Sequence, residues 1–325
     1  MQAPEFWRRG GLVPALLTPL AWGYDAAGRA SRALASAQRA PLPVVCVGNL
    51  VVGGAGKTPV ALALGARLSA LGHNVHFLSR GYGGRARGPV RVEPGRHDAR
   101  EVGDEPLLLA AGRPTWVARD RAAGARAAAA AGAEVVVMDD GYQNGHIAKD
   151  LSLVVVDGVY GFGNGLPMPA GPLREDVRRG LARADAVVLL GADEAGVAAR
   201  IEATGLALLR ATVAPTLDAM TLADRPVVAF AGIARPEKFF ATLETLGCRP
   251  LATRAFADHH RYDADEVMTL VEQAAAHGAT LVTTEKDHVR LPEEARAMVE
   301  VLRVRLEWAE PAALDRLLAP LFGDG

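Results

Sequence analysis

A glycine-rich loop between an apolar run and a helical stretch constrains the fold of this chain more than any other feature. The loop reads Gly53-Gly54-Ala55-Gly56-Lys57-Thr58-Pro59. It follows the apolar run at 44–47 and precedes the helical stretch at 60–71. Glycines let the backbone approach phosphate groups closely, and the N-terminus of the following helix adds partial positive charge. Lys57 can reach the β- and γ-phosphates, the Thr58 hydroxyl can ligate Mg²⁺, and Pro59 fits the first helical turn. The sequence therefore predicts a phosphate-binding loop formed by these seven residues.

The loop departs from the strict pattern G-x-x-x-x-G-K-T, which requires glycine where this chain has Val51. It reads x-G-G-x-G-K-T, a variant found in another branch of P-loop proteins. Many members of that branch carry lysine immediately before the glycine pair, where this chain has Val52. The alternative is a chance glycine-rich turn, and the in-register Lys57 and Thr58 between a strand and a helix argue against it.

The sequence after residue 43 alternates short apolar runs with Ala- and Leu-rich helical stretches. The first strand candidates are at 44–47, 75–78, 135–138, 153–156 and 187–190. Because these runs are continuously apolar, they are typical of strands covered by helices on both faces. The alternation predicts an α/β fold with a mostly parallel, P-loop NTPase-like sheet.

A second set of elements follows a break in the pattern at 211–225. Its strand candidates are at 227–231, 251–256 and 280–284, and its helix candidates are at 236–246 and 264–277. We therefore predict three parts: an N-terminal amphipathic helix at 1–40, a P-loop domain at 41–217 and a smaller α/β domain at 218–325.

The N-terminal segment combines an apolar stripe with aromatic and arginine residues. Helical spacing relates Val13, Leu16, Leu17, Leu20 and Tyr24, with Phe6, Trp7 and Trp22 nearby. Residues 1–40 carry five arginines and two acids, and the apolar run at 11–22 is shorter than the about 20 residues of a spanning helix. Such a segment suits a helix that lies in a membrane interface. The alternative is an amphipathic helix docked on the protein's own core.

Charge and cysteine content exclude several classes of protein. The chain carries 36 Lys plus Arg against 37 Asp plus Glu, and a net charge of −1 provides no global field for gathering nucleic acid. Its two cysteines, Cys46 and Cys248, exclude a disulfide scaffold, and no Cys/His cluster has zinc spacing. We therefore expect a globular protein of a reducing compartment without a nucleic-acid partner.

Two adjacent carboxylates, Asp139 and Asp140, end the apolar run at 135–138. A carboxylate at the C-terminal end of a parallel strand beside a phosphate loop is where an acid that organises Mg²⁺ belongs. The alternative is a turn, because Asp140-Gly141 is a good turn signal. With the phosphate loop present, we predict that Thr58, Asp139 and Asp140 hold the metal.

The order of motifs along nearly the whole chain resembles one family, the tetraacyldisaccharide 4′-kinases of lipid A biosynthesis. Besides the phosphate loop, the matching stretches are Val47-Gly48-Asn49-Leu50, Ser79-Arg80-Gly81-Tyr82-Gly83, Val102-Gly103-Asp104-Glu105-Pro106, Asp139-Asp140-Gly141-Tyr142-Gln143, Gly163-Asn164-Gly165, Pro169-Ala170-Gly171-Pro172-Leu173-Arg174-Glu175, Phe256-Ala257-Asp258-His259-His260-Arg261-Tyr262 and Thr283-Thr284-Glu285-Lys286-Asp287. Many NTPases share the phosphate loop, whereas this combination is highly specific.

The resemblance implies transfer of the γ-phosphoryl group of ATP, with Mg²⁺, to the 4′-hydroxyl of an acylated glucosamine disaccharide 1-phosphate. It also implies a peripheral enzyme at the cytoplasmic face of the inner membrane, with the lipid A disaccharide precursor and the lipid surface as partners. No obligate protein partner is evident in the sequence. Because the acyl chains keep such a substrate in the bilayer, the resemblance favours the interfacial interpretation of the N-terminal segment.

By resemblance, Asp104 matches the family's catalytic aspartate, His259 matches the histidine paired with it, and Lys57 is the lysine of the phosphate loop. A carboxylate can accept the proton of a sugar hydroxyl while a histidine orients it. Taken without the family, the sequence favours a helix start for Asp104 before Glu105-Pro106, and a histidine in a polar turn for His259.

Four further residues lie in matching motifs and are candidates for contact with the sugar or a phosphate: Tyr82, Gln143, Asn144 and Arg174. Arg174 can hold a phosphate through two hydrogen bonds, although Glu175 could equally make it part of a surface ion pair. Asn144 stands where the family usually has histidine, and it cannot carry charge. A histidine follows two residues later as His146.

Arg119 and Arg121 are candidates for binding the 1-phosphate of the substrate or the charge of the transition state. The group Glu285-Lys286-Asp287 follows a strand end and either braces the second domain against the first or is a charged helix start.

Two other functions remain as alternatives. A membrane-associated regulatory P-loop ATPase would account for the loop variant and the N-terminal segment, but Val52, Asp104, His259 and the second domain argue against it. A soluble small-molecule ligase or kinase would account for the loop, but the N-terminal aromatic and arginine residues argue against it.

Overall fold

The computed structural model describes residues 4–323, so the ends of the predicted segments 1–40 and 218–325 lie outside the described residues. Within that range, the strands are β1 Val44–Gly48, β2 Val75–Ser79, β3 Val90–Arg91, β4 Thr115–Val117, β5 Val135–Asp139, β6 Leu151–Asp157, β7 Ala186–Leu190, β8 Ala207–Pro215, β9 Pro226–Ala231, β10 Arg249–Ala255, β11 Thr280–Thr284, β12 Glu300–Leu302 and β13 Val304–Trp308. The α-helices are α1 Leu12–Leu34, α2 Lys57–Ala70, α3 Ala99–Val102, α4 Asp104–Ala110, α5 Arg121–Ala130, α6 Val177–Leu181, α7 Val197–Glu202, α8 Pro236–Thr245, α9 Ala264–Ala276, α10 Glu285–His288, α11 Glu293–Arg296 and α12 Pro311–Leu318.

The larger sheet has the strand order β13-β8-β7-β6-β1-β5-β2-β4-β3. Only its two outermost strands, β13 and β3, pair antiparallel with their neighbours. Helices α5, α6 and α7 pack on one face, and α2, α4 and α12 pack on the other. Every residue of β1 is buried because both faces are covered, which confirms the interpretation of the apolar runs. This sheet and its helices form the first lobe.

The second lobe is a parallel four-stranded sheet in the order β10-β9-β11-β12. Its faces are covered by α8, which buries Phe239 and Leu243, and by α9, which buries Val267 and Leu270. The elements expected between 227 and 284 all form. As a domain boundary, residue 217 stays a prediction.

The C-terminal segment differs from the expected span 218–325, because the chain returns to the first lobe. Strand β13 pairs antiparallel with β8, and α12 buries Leu314 and Leu318 against the first sheet. The segment 211–225, expected to be a break, also begins inside β8. Exposed residues interrupt the buried ones along β8 and β13, which hides these two strands from a search for continuous apolar runs.

Helix α1 has its apolar side facing away from the protein. Leu12, Leu16 and Leu20 are each more than 60% exposed, while Ala21 and Asp25 on the other side are buried. The Asp25 carboxylate pairs with Arg179 and accepts a hydrogen bond from the Asp176 amide at 3.3 Å, so polar contacts dock the helix. Docking of the apolar stripe on the protein's own core is therefore absent. No helix among residues 4–323 is both long and apolar enough to cross a membrane.

Candidate active site

The phosphate loop joins the central strand β1 to α2, which begins at Lys57. Gly53 and Gly56 have positive φ angles of 101° and 81°, which favour glycine. A Cβ at Gly56 would lie 2.4 Å from Leu190 Cδ1, so a larger residue would displace the loop. The amide of Val52 donates to the Pro172 carbonyl at 2.8 Å, which pairs the loop entry with the segment that carries Arg174.

Asp139, at the C-terminal end of β5, lies beside the loop. Its Oδ2 accepts a hydrogen bond from the Thr58 hydroxyl at 2.9 Å, and its Oδ1 is buried without a hydrogen-bond partner among the described residues. Burial first, and then the charge of Glu105, raise the pKa of Asp139 to about 7, against the opposing charge of Lys57. A buried carboxylate oxygen in want of a partner, next to the Thr58 hydroxyl, fits the donors that Mg²⁺ takes.

Asp140 takes part in ion pairs. Its carboxylate accepts two hydrogen bonds from Arg174, at 2.8 and 3.1 Å, and lies 3.8 Å from Lys57 Nζ. Burial opposes ionisation, but Lys57 and Arg174 outweigh it and lower the pKa of Asp140. Asp140 has a positive φ of 53°, a conformation that costs energy and occurs often at functional sites. Arg174 therefore forms no surface pair with Glu175.

Gln143 and Glu175 connect this group to α1. Gln143 Nε2 donates to the Asn49 carbonyl at 2.9 Å and to Glu175 Oε1 at 3.2 Å. The fully buried Glu175 also accepts from Arg183 at 2.9 Å and lies 3.3 Å from Arg32 on α1. The position of α1 is thus tied to the polar residues that flank the phosphate loop.

A cleft of about 520 Å³ lies between α1 and these residues. Tyr24, Gly28 and Arg32 of α1 line one side, and Gln143 and Arg174 line the other. The cleft therefore lies between the C-terminal half of α1 and the polar residues that flank the phosphate loop.

Asp104 begins α4 on the first lobe, and its side chain meets residues of the second lobe. Its Oδ2 lies 2.9 Å from His259 Nδ1 and accepts a hydrogen bond from Arg290 Nε at 2.8 Å. Gly103 lets this turn approach the backbone of Tyr82, because a Cβ at Gly103 would lie 2.6 Å from the Tyr82 carbonyl oxygen. His259 has a positive φ of 59°, the second such non-glycine residue at the site.

The charges around Asp104 counteract the effect of burial on its pKa. Burial alone would raise the pKa of Asp104, but the His259 hydrogen bond and the charges of Lys286 and Arg290 hold it well below its usual value. Arg290 is held in turn by the buried Asp287 at 3.0 Å and by the Gly232 carbonyl at 2.8 Å. The carboxylate is therefore ionised and fixed in orientation.

The group Glu285-Lys286-Asp287 contributes to the contact between the lobes. Lys286 Nζ lies 3.3 Å from Glu105 Oε1 and 3.5 Å from His259 Nε2. Asp287 stays within the second lobe, where it accepts hydrogen bonds from the Gly232 amide and the Tyr262 hydroxyl. Of the three residues, Lys286 is therefore the one that braces the second lobe against the first.

The remaining predicted residues are dispersed around the site. The exposed Tyr82 ring lies 5.7 Å from the His259 ring, centre to centre. Asn144 Oδ1 accepts from the His146 amide at 2.9 Å and so closes a turn, while His146 is exposed. Arg121 is buried, and burial together with Arg80 lowers its pKa to about 10, so it remains cationic. Arg119 is exposed.

Sequence reasoning missed Arg290, Arg235 and Asp157. Arg290 stands four residues after Lys286, and helical spacing was an available signal for it. Asp157 ends β6, so its strand-end position was also readable. Arg235 precedes α8 in the second lobe, and no local pattern connects it with Gly54, whose carbonyl it binds.

This arrangement of loop, strand-end carboxylate and flanking cations defines a P-loop nucleotide-binding enzyme. A family model described as tetraacyldisaccharide-1-P 4′-kinase (LpxK) matches residues 13–322. The chain therefore belongs to the tetraacyldisaccharide 4′-kinase family.

Relatives and a solved structure agree over nearly the full length. A tetraacyldisaccharide 4′-kinase of Rhodospirillum centenum is 57% identical over 99% of this chain and 97% of its own. One of Paramagnetospirillum magneticum is 54% identical over 99% of this chain and 98% of its own. The crystal structure of "apo" form LpxK from Aquifex aeolicus in complex with ATP is 26% identical, with a TM-score of 0.76 over 96% of this chain and 100% of that one.

Proposed function

We propose that this ATP-dependent kinase transfers the γ-phosphoryl group to the 4′-hydroxyl of a tetraacylated glucosamine disaccharide 1-phosphate through a site built across both lobes. The reaction is inferred from family membership, since the family model matches residues 13–322. The contact of Asp104 with His259, at 2.9 Å across the two lobes, supports the assignment of roles.

In the proposed reaction, the 4′-oxygen attacks the γ-phosphorus, and the bond from that phosphorus to the β-bridging oxygen breaks. Asp104 accepts the hydroxyl proton, and His259 and Arg290 hold the carboxylate in place. Because the pKa of Asp104 is low, its main contribution is to orient the hydroxyl, and it takes the proton only as the new bond forms. Lys57 neutralises charge on the transferred group.

For the metal, Thr58 and Asp139 are the proposed ligands, with Asp140 placed to hold Lys57 and Arg174. A bound Mg²⁺ supplies charge neutralisation for the phosphates and fixes their orientation. The orphaned Asp139 Oδ1 supports this assignment.

The cleft between α1 and Arg174 is the proposed acceptor site. Arg174, Gln143, Asn144 and Tyr82 are candidates for contact with the disaccharide. The cationic Arg121 is a candidate for binding a phosphate.

We further propose that the enzyme is peripheral at the cytoplasmic face of the inner membrane, with α1 in the interface. The exposed Leu12, Leu16, Leu20 and Trp22 support this, since apolar side chains of this size on one helix suit the headgroup boundary. The polar contacts of Asp25 and Arg32 keep the opposite side of α1 on the protein. A lipid acceptor held in the leaflet would thus meet the cleft directly.

The deciding experiment is incubation with γ-labelled ATP and the disaccharide lipid in mixed micelles. The wild-type enzyme should place label on the lipid, and Lys57→Met should lower the rate by at least about 1,000-fold while leaving the thermal unfolding curve unchanged. Lipid-independent ATP hydrolysis without labelled lipid would instead support the regulatory ATPase.

A further inference from the structure

Arg235 of the second lobe reaches the phosphate loop of the first. It lies immediately before α8, and its Nη2 donates to the Gly54 carbonyl oxygen at 2.7 Å. The backbones are close here, because a Cβ at Gly54 would lie 3.3 Å from Ala234 Cβ. The Arg235 guanidinium also lies over the Tyr160 ring, 5.6 Å from its centre, in a cation–π contact.

The same guanidinium is paired with Asp157, whose carboxylate has a second cation. Asp157 Oδ2 lies 2.8 Å from Arg235 Nη2 and also binds Lys238. Asp157 ends β6, the parallel neighbour of β1. It therefore lies at the C-terminal end of the strands, where the phosphate loop also starts. Burial opposes its ionisation, but hydrogen bonds from Arg235 and Lys238 outweigh burial and lower the pKa of Asp157.

Two cations on one buried carboxylate leave a surplus positive charge at the loop. If Arg235 turned from Asp157, Lys238 would still neutralise that carboxylate, and no uncompensated buried charge would remain. A planar guanidinium beside the loop can donate two hydrogen bonds to phosphate oxygens.

We propose that Arg235 binds the terminal phosphate of the nucleotide and carries the second lobe onto the loaded phosphate loop. This inference rests on the proposed kinase function. It predicts that the enzyme distinguishes a nucleoside triphosphate from a diphosphate through a residue outside the first lobe.

The test compares binding of a non-hydrolysable ATP analogue and of ADP, each with Mg²⁺, by calorimetry. For Arg235→Met, the dissociation constant of the analogue should rise about 10-fold or more while that of ADP changes less than about 2-fold. Arg235→Lys, which keeps the charge without the fork, should fall between. Arg225→Met is the matched control, because Arg225 is a partly exposed second-lobe arginine paired with Glu300 at 3.0 Å, and it should change neither constant.

Asp157→Asn separates phosphate binding from simple bracing of the lobes. If Arg235 binds phosphate, this variant releases the guanidinium and retains or tightens analogue binding. Equal weakening of ADP and analogue in Arg235→Met, or weakening in Asp157→Asn like that of Arg235→Met, would overturn the proposal in favour of bracing. If Arg235→Met does not fold, Arg235→Lys and Asp157→Asn carry the same comparison.

The binding assay contains no lipid, so a negative result for Arg235 is distinguishable from a failure of the proposed kinase function. Absence of labelled lipid with the wild-type enzyme would contradict the acceptor, and the difference between triphosphate and diphosphate would still be measurable.

Discussion

Asp104 and His259 belong to different lobes, and their side chains meet at 2.9 Å between Oδ2 and Nδ1. Asp104 begins α4 of the first lobe, whereas His259 lies between β10 and α9 of the second lobe. The pair therefore exists only while the lobes are in contact. Arg290 and Lys286 from the second lobe approach the same carboxylate, so the contact between the lobes and the proposed chemistry share one cluster of charges.

Replacement of Asp104 by Asn should lower kcat by about 100- to 10,000-fold and change the KM for ATP by less than about 3-fold. The carboxylate orients the acceptor hydroxyl and takes its proton, whereas it has no proposed contact with the nucleotide. Steady-state kinetics with the lipid acceptor measure both constants. Asp265→Asn, at an exposed position of α9, is the control and should resemble the wild type. A raised KM with normal kcat would reduce Asp104 to a structural helix start.

Removal of the Arg290 charge should move the titration of Asp104 to higher pH. Asp104 has a lower pKa folded than unfolded, so its ionisation stabilises the fold above about pH 4, and this contribution is lost as pH falls through the folded pKa. In Arg290→Met the folded pKa rises toward the unfolded value, so the contribution is smaller and its loss is complete at a higher pH than in the wild type. Urea unfolding between pH 3 and 7 measures the shift.

The same variant should lower the free energy of unfolding by about 3–5 kcal/mol at pH 7, because Asp104 and Asp287 lose a buried partner. Arg290→Lys keeps the charge and should lose less. An unchanged pH dependence in Arg290→Met would show that Arg290 does not determine the ionisation of Asp104.

Binding of Mg²⁺ with nucleotide should release a proton from Asp139 below pH 7. The pKa of Asp139 is raised to about 7 in the metal-free protein, and a metal ligand must be deprotonated. Calorimetry in buffers of different ionisation enthalpy should show release approaching one proton at about pH 6 and little at about pH 8.5.

Asp139→Asn, a nearly isosteric change, should abolish that release. In the metal-free wild type the raised pKa has the opposite sign of effect from Asp104: stability declines as pH rises from about 4 to 7, because the folded state holds the proton longer. Proton release that is the same in Asp139→Asn would assign it to another group.

Replacing Leu12, Leu16 and Leu20 together by Ser should weaken binding to anionic vesicles by at least about 100-fold, because a buried leucine contributes about 1.5–3 kcal/mol. Vesicle sedimentation measures the partition. The matched control replaces the exposed Leu217, Met220 and Leu251 of the rest of the chain by Ser, and it should bind as the wild type does. Equal binding of the two triple variants would place the anchoring surface elsewhere.

Much of the fold follows from local patterns. The run 44–47, the glycine loop and the helix after it form as expected, because strand and helix periodicity and glycine's freedom are properties of neighbouring residues. The return of β13 to β8 was not predictable in this way, since pairing across 89 residues between Pro215 and Val304 leaves no local trace. The exposed residues that interrupt both strands removed the remaining signal.

The sequence by itself determined a phosphate loop, an acid at the end of β5 and the family motifs that contain Asp104 and His259. These are short-range patterns, because each depends on residues within one turn or one strand. Only the tertiary structure decided that Arg290 and His259 share one carboxylate, that Arg235 reaches Gly54, and that the apolar side of α1 faces outward. Such contacts depend on how the two sheets are placed against each other, and that placement depends on interactions between residues far apart in the chain.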